Sequence, residues 1–293
     1  MFKGSFVALV TPFTVDGKLD EAAFQALIEW HIAAGTDGIV PMGTTGESVT
    51  LSFAEYCRVI EMAVEIAKGR ITIMAGAGSN ATDVAIKYAQ FAQKAGADSL
   101  LVVTPYYNKP QQEGLYQHYK AIHDAVDLPI ILYSVPSRTG VELAIETVER
   151  LAQFPRIAGI KDATVDLSRP LMMRERITRD DFAFLSGEDA TVAAYLAQGG
   201  HGCISVTANV APKECADLHR AWQARDFENF NRLRDWLAPL HRAMFLDTNP
   251  VPAKYALSKM GRCDQRVRLP LAPIQPIARA EVERLLKSRG LIA

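Results

Sequence analysis

The chain has 293 residues, 49% hydrophobic and 22% charged. That balance excludes a disordered chain and supplies enough apolar material for a large core. The formal net charge of -1 and a pI near 6.6 exclude a global electrostatic lure for nucleic acid or anionic membranes, leaving small molecules as the expected partners. No window approaches the length of a membrane span, and the opening run Phe6–Val10 is too short for a signal-peptide core. With four scattered cysteines and no CxxC pattern, the expected compartment is a reducing cytoplasm.

In chain order, short β-branched runs predict strands at Ser5–Val10, Gly38–Pro41, Ile71–Ala75, Ser99–Val103, Ile130–Ser134, Ile157–Lys161, Phe182–Ser186 and Gly202–Ser205. Between them lie stretches with helical spacing, such as Phe24, Leu27, Ile28, Ile32 and Val59, Ile60, Val64, Ile66. Asn80 stands where a helix starting at Ala81 needs a cap, and Pro170 stands in a first turn. Gly35, Gly69 and Gly96 can take the left-handed conformation that ends a helix. Eight strand-helix units in about 225 residues fit an α/β fold of the (β/α)8 TIM-barrel type. The competing open doubly wound sheet usually carries a glycine-rich dinucleotide turn after its first strand, and here that turn reads Thr11-Pro12-Phe13-Thr14. Residues 1–224 are expected to form the barrel. Residues 225–293 form a C-terminal helical region, with helices at Phe227–Met244, Pro250–Met260 and Arg279–Ser288.

Active sites of such barrels lie where strands end. Strand 2 runs into Gly43-Thr44-Thr45-Gly46-Glu47, strand 4 into Thr104-Pro105-Tyr106-Tyr107-Asn108, strand 5 into Tyr133-Ser134-Val135-Pro136-Ser137-Arg138, strand 6 into Lys161-Asp162-Ala163-Thr164 and strand 7 into Ser186-Gly187-Glu188. Alternation places Lys161 on the face opposite Ile160, so it is either an interior amine nucleophile or a solvated lysine at a frayed strand end. Tyr133, on the neighbouring strand, is either a proton carrier or an aromatic lid on the core. Thr44 and Thr45 lie between glycines, where their hydroxyls and amides suit a carboxylate or a proton relay, with a plain turn as the alternative. Arg138 offers a planar fork for a carboxylate or a surface ion pair.

Other motifs weaken on inspection. Gly199-Gly200-His201-Gly202 precedes strand 8, away from the catalytic rim, and reads as a tight turn. Gly76-Ala77-Gly78-Ser79-Asn80 leads into a helix N-terminus without a following lysine, a weak case for a nucleotide. The six histidines show neither HxxxH nor HxH spacing, so neither a metal nor a cofactor is expected.

Taken together, Gly43–Glu47, Thr104–Pro110, Tyr133–Gly140, Gly159–Thr164 and Ile204–Asn209 resemble the signature segments of the dihydrodipicolinate synthase family, in order and across essentially the whole chain. The resemblance implies condensation of pyruvate with L-aspartate 4-semialdehyde on the way to diaminopimelate and lysine. Lys161 would form the Schiff base. Tyr133 would shuttle protons, with Thr44 and with Tyr107 reaching in from a neighbouring subunit. Thr45 would hold the pyruvate carboxylate and Arg138 that of the semialdehyde, while Gly187 and Ile204 would line the pocket. A homotetramer built as a dimer of dimers is implied.

Two departures from the family pattern stand out. Ser134 and Asp162 replace the usual Asn and Glu, but alternation points both away from the pocket. Ser48, Asn80 and Tyr106 match the family's lysine-binding regulatory site, whereas Phe53, Tyr56 and Val84 stand where sensitive members tend to carry His, His and Glu, so weak or absent inhibition is expected. The alternatives are another pyruvate Schiff-base enzyme, such as N-acetylneuraminate lyase or a 2-keto-3-deoxy sugar-acid aldolase, and a non-catalytic binding protein. Arg138 argues against the first, and the intact set of reactive residues against the second.

Overall fold

The computed structural model describes residues 1–293. Eight strands form a closed barrel in sequence order: β1 (Gly4–Ala8), β2 (Gly38–Val40), β3 (Thr72–Gly76), β4 (Ser99–Val103), β5 (Ile130–Ser134), β6 (Ile157–Asp162), β7 (Ala183–Ser186) and β8 (Gly202–Ser205). Ladders are parallel wherever register is defined, as for β5 with β6 and β6 with β7. The helices are α1 (Glu21–Ala34), α2 (Phe53–Ala67), α3 (Thr82–Ala95), α4 (Gln112–Ala125), α5 (Pro136–Thr139), α6 (Ile145–Leu151), α7 (Arg169–Arg176), α8 (Val192–Ala197), α9 (Pro212–Gln223), α10 (Phe227–Ala243), α11 (Val251–Lys259) and α12 (Pro276–Ser288).

All eight expected strands are present, with ends that shift for identifiable reasons. β1 stops at Ala8 because the Val10 amide donates to the Asn209 side chain instead of continuing the ladder. β7 begins after Phe182, whose amide closes a turn onto the Arg179 carbonyl. The expected helix start at Ala81 moves by one residue: Ala81 is itself the cap, without a side-chain bond, and the Asn80 carbonyl receives the Asn108 amide instead. Gly35 and Gly96 do end their helices in the left-handed conformation. After α2, Lys68 takes that conformation one residue before Gly69.

The chain packs as two compact units, Met1–Lys3 with Ile73–Ile204, and Gly4–Thr72 with Ser205–Ala293. In the first, strand interiors such as Leu100, Val102, Ile130, Leu132 and Ile160 are fully buried, and Tyr119 of α4 anchors to the sheet by donating its hydroxyl to the Val102 carbonyl at 3.0 Å. In the second, Asn209 donates to the carbonyls of Ala8 and Val206 while accepting from Val10, fixing the segment after β8 against β1. The capping box of Ser52 and Glu55 starts α2, and α10 packs on α9, where the rings of Phe230 and Trp222 meet with centroids 5.1 Å apart. No helix is long and apolar enough to cross a membrane.

Candidate active site

Parallel strands alternate their side chains, and the β5/β6 register pairs Tyr133 with Lys161 and Ser134 with Asp162. The two pairs therefore point to opposite faces. On one, Lys161 is only 5% exposed and its amine lies 4.2 Å from the centroid of the Tyr133 ring. No carboxylate comes within ion-pair distance of that amine, so the ring supplies its nearest stabilisation as a cation. An amine so placed, near the end of a strand and largely shielded from water, is positioned to add to a carbonyl brought to that end of the barrel.

Gly187, just beyond β7, explains how the lysine fits. A Cβ there would stand 3.0 Å from Lys161 Cε and 2.7 Å from Ala163 Cβ, so only glycine leaves the stem its course. Next to it, burial raises the Glu188 carboxyl above its ordinary range, against an opposing pull from Lys161. Ile204 is 1% exposed at the end of β8. Arg138, in the single turn of α5, is exposed to solvent.

On the opposite face the two residues that depart from the family pattern serve the scaffold. Ser134 Oγ accepts from the Leu143 amide at 3.2 Å. Asp162 receives Arg169 Nε at 2.8 Å and caps the Thr164 amide. Arg169 also donates to Glu142 and to the Leu143 carbonyl. This buried network braces the outer side of the strand whose inner side carries Lys161.

The turn after β2 is built by Met42 and Glu47 in left-handed conformations on either side of Gly43–Gly46. Of the two glycines, only Gly46 needs to lack a side chain: its Cβ would lie 3.1 Å from the Met42 amide and 3.2 Å from the Leu9 carbonyl, whereas Gly43 faces open space. Thr11 pins the turn by donating to the Gly46 carbonyl at 2.7 Å. Thr44 is half-buried, and Thr45, 2% exposed, receives a hydrogen bond from Asn249. Two residues on, the buried Glu47 pairs with Lys254 of α11. Asn249 and Lys254 escaped the sequence reading. The available signal was a charge set inside the apolar run Val251-Pro252-Ala253-Lys254-Tyr255-Ala256-Leu257.

Tyr107 is 89% exposed and adopts a left-handed backbone, with φ of 72°, so within one chain it is not packed into any site. Ser48, Asn80 and Tyr106 are half-buried. At two of the positions that depart from the lysine-site pattern, Phe53 and Tyr56 stack on each other at 6.2 Å, with Tyr56 buried. Val84, at the third, is 38% exposed near the start of α3.

Fold and site define a (β/α)8 barrel with a buried lysine at the end of its sixth strand, the class of barrel suited to amine-nucleophile chemistry on a carbonyl. The family model that matches is that of the Dihydrodipicolinate synthetase family, over residues 1–289, and the chain belongs to this family. It is 56% identical over 292 residues to the 4-hydroxy-tetrahydrodipicolinate synthase of Rhodospirillum centenum, covering 100% of both chains. It is 53% identical over 291 residues to the enzyme of the same name from Bradyrhizobium diazoefficiens, covering 99% of this chain and 98% of that one. Among solved structures, the chloride-inhibited dihydrodipicolinate synthase of Acinetobacter baumannii complexed with pyruvate superposes with a TM-score of 0.97 at 46% identity, covering 100% of each chain.

Proposed function

We propose that this chain is a 4-hydroxy-tetrahydrodipicolinate synthase, a lyase that condenses pyruvate with L-aspartate 4-semialdehyde. The observation that carries the reading is the buried Lys161 amine, 4.2 Å from the Tyr133 ring and free of any ion pair. The neutral amine adds to the pyruvate keto carbon, and loss of water gives an imine. Once protonated, the imine draws electrons from the adjacent carbon, so the methyl group releases a proton and becomes an enamine. The enamine carbon attacks the aldehyde, whose oxygen takes up a proton to become the product hydroxyl. The semialdehyde's own amine then adds to the imine carbon and expels Lys161.

In this reading Tyr133 carries the protons, relayed by Thr44 and by Tyr107 of a neighbouring subunit. The exposure and left-handed backbone of Tyr107 suit a side chain offered outward, which supports an obligate dimer and, beyond it, a dimer of dimers. Thr45 holds the pyruvate carboxylate, Arg138 that of the semialdehyde, and Gly187 and Ile204 shape the pocket. Ser48, Asn80 and Tyr106 are remnants of a lysine site. The stacked pair Phe53 and Tyr56, with the apolar Val84, leaves the ligand's ammonium without a carboxylate at that position, so lysine inhibits weakly or not at all.

The test is pyruvate-dependent turnover of L-aspartate 4-semialdehyde, followed as NADPH oxidation through added dihydrodipicolinate reductase. Turnover that disappears in Lys161→Ala supports the reading. Absence of turnover with a working coupling enzyme overturns the second substrate and redirects the search to sugar-acid aldehydes.

A further inference from the structure

The segment between α10 and α11, Asp247-Thr248-Asn249-Pro250, lies about two hundred residues along the chain from the turn after β2, yet it reaches into that turn. Asn249, 5% exposed, donates from Nδ2 to Thr45 Oγ1 at 2.9 Å, and its Oδ1 is buried without a partner. Glu47 Oε1 receives Lys254 Nζ at 2.5 Å, and Oε2 receives the Arg268 amide at 2.9 Å. Lys254 also donates to the Arg266 carbonyl and lies 4.0 Å from the Phe13 ring centroid. Glu47 sits in a left-handed conformation, so these tethers help hold the turn in a shape it would not adopt unaided.

A threonine hydroxyl has one proton to give and lone pairs that accept. With an amide N–H directed at Thr45 Oγ1, a lone pair is engaged and the proton is left for another acceptor. An anion is the acceptor such a hydroxyl serves best. We infer that Asn249 is a positioning residue that sets the Thr45 hydroxyl as a donor toward the substrate carboxylate. The C-terminal helical region thereby acts on substrate binding through the 249–268 segment. The inference rests on the functional reading above, since it takes the carboxylate of pyruvate as the group received. The orphaned Oδ1 fits a residue kept for its donor, because a buried acceptor without a partner adds nothing to folding.

The experiment is a double-mutant cycle of Asn249→Asp and Thr45→Val, read as KM for pyruvate, kcat at saturating pyruvate and melting temperature. An aspartate accepts the threonine proton instead of leaving it free. Asn249→Asp is therefore expected to raise KM for pyruvate about ten- to a hundredfold with kcat changed far less, and by a smaller factor in the Thr45→Val background, where only its added charge acts. Asn249→Ala, which removes the donor without adding charge, runs the same cycle should the aspartate variant not fold, with a severalfold rise expected. An unchanged KM, or effects that multiply in the double variant, overturns the assignment. The wild-type control separates the two levels. If borohydride and pyruvate fail to label the wild type, the functional reading falls and this assignment with it; a labelled wild type with indifferent variants removes this assignment alone.

Discussion

The Lys161 amine rests 4.2 Å from the centre of the Tyr133 ring because the two residues are register partners on adjacent strands, β6 and β5. The ring face packs against the end of the lysine, while the hydroxyl remains for proton traffic. Tyr133→Phe separates these roles. It keeps the ring, so the melting temperature is expected to hold, whereas kcat falls about a hundredfold or more, the usual scale of lost general acid-base catalysis. A phenylalanine variant with near-normal kcat would show that the proton is carried elsewhere.

Gly187→Ala tests the packing of the nucleophile. Its Cβ meets Lys161 Cε at 3.0 Å and Ala163 Cβ at 2.7 Å, so the lysine stem must move. A shift of a few tenths of an ångström in the nucleophile is expected to lower turnover severalfold. Single-turnover measurement of imine formation with pyruvate is the check. Unchanged imine formation would mean that the stem has room the geometry denies it.

Arg169 and Asp162 form an ion pair in which both side chains are nearly inaccessible to solvent, behind the strand that carries Lys161. Removing the cation strands the carboxylate. Arg169→Met is expected to cost about 3–5 kcal/mol in urea unfolding, the range for a broken buried pair. Ser134→Ala deprives only the Leu143 amide of its acceptor and is expected to cost about 1–3 kcal/mol with kcat preserved. A large loss of kcat in a well-folded Ser134→Ala protein would contradict its placement on the outer face.

Histidine burial predicts an acid-sensitive stability. His31, fully buried with its Nδ1 on Thr36, is held down to about 3 by desolvation and then by Arg262, and burial holds His118 down to about 4. As pH falls below the ordinary value of 6.5, the unfolded chain gains protons at these rings that the folded chain refuses. The folded state loses about 1.4 kcal/mol per pH unit per proton. His31→Gln is expected to flatten the dependence of unfolding free energy on pH between about pH 6 and 5 by one proton's worth. An unaltered slope would place the proton uptake elsewhere.

Tyr107 acting across a subunit boundary predicts complementation. Neither Tyr107→Phe nor Lys161→Ala alone should turn over well, but co-assembled dimers contain one site with both native residues. Random pairing is expected to recover about a quarter of wild-type activity for an isologous dimer. No recovery in demonstrably mixed dimers would contradict action in trans.

The strands were legible because short buried β-branched runs recur between helical spacings, and alternation alone sorted Tyr133 and Lys161 from Ser134 and Asp162. What escaped was non-local. The bond from Asn249 to Thr45 and the pair of Lys254 with Glu47 join segments more than 200 residues apart, and no periodicity announces them. Local geometry was partly hidden too. Thr11 and Leu9 crowd Gly46 but not Gly43, a difference that depends on which backbone folds over the turn. The single turn of α5 that carries Arg138 was too short to leave a helical pattern.

The central claim is that Lys161 is the nucleophile, and the most direct measurement is borohydride reduction in the presence of pyruvate followed by peptide mass mapping. The account predicts one carboxyethyl group per chain, on Lys161, and none in Lys161→Ala. Unlabelled protein, or a label on another lysine, would contradict it.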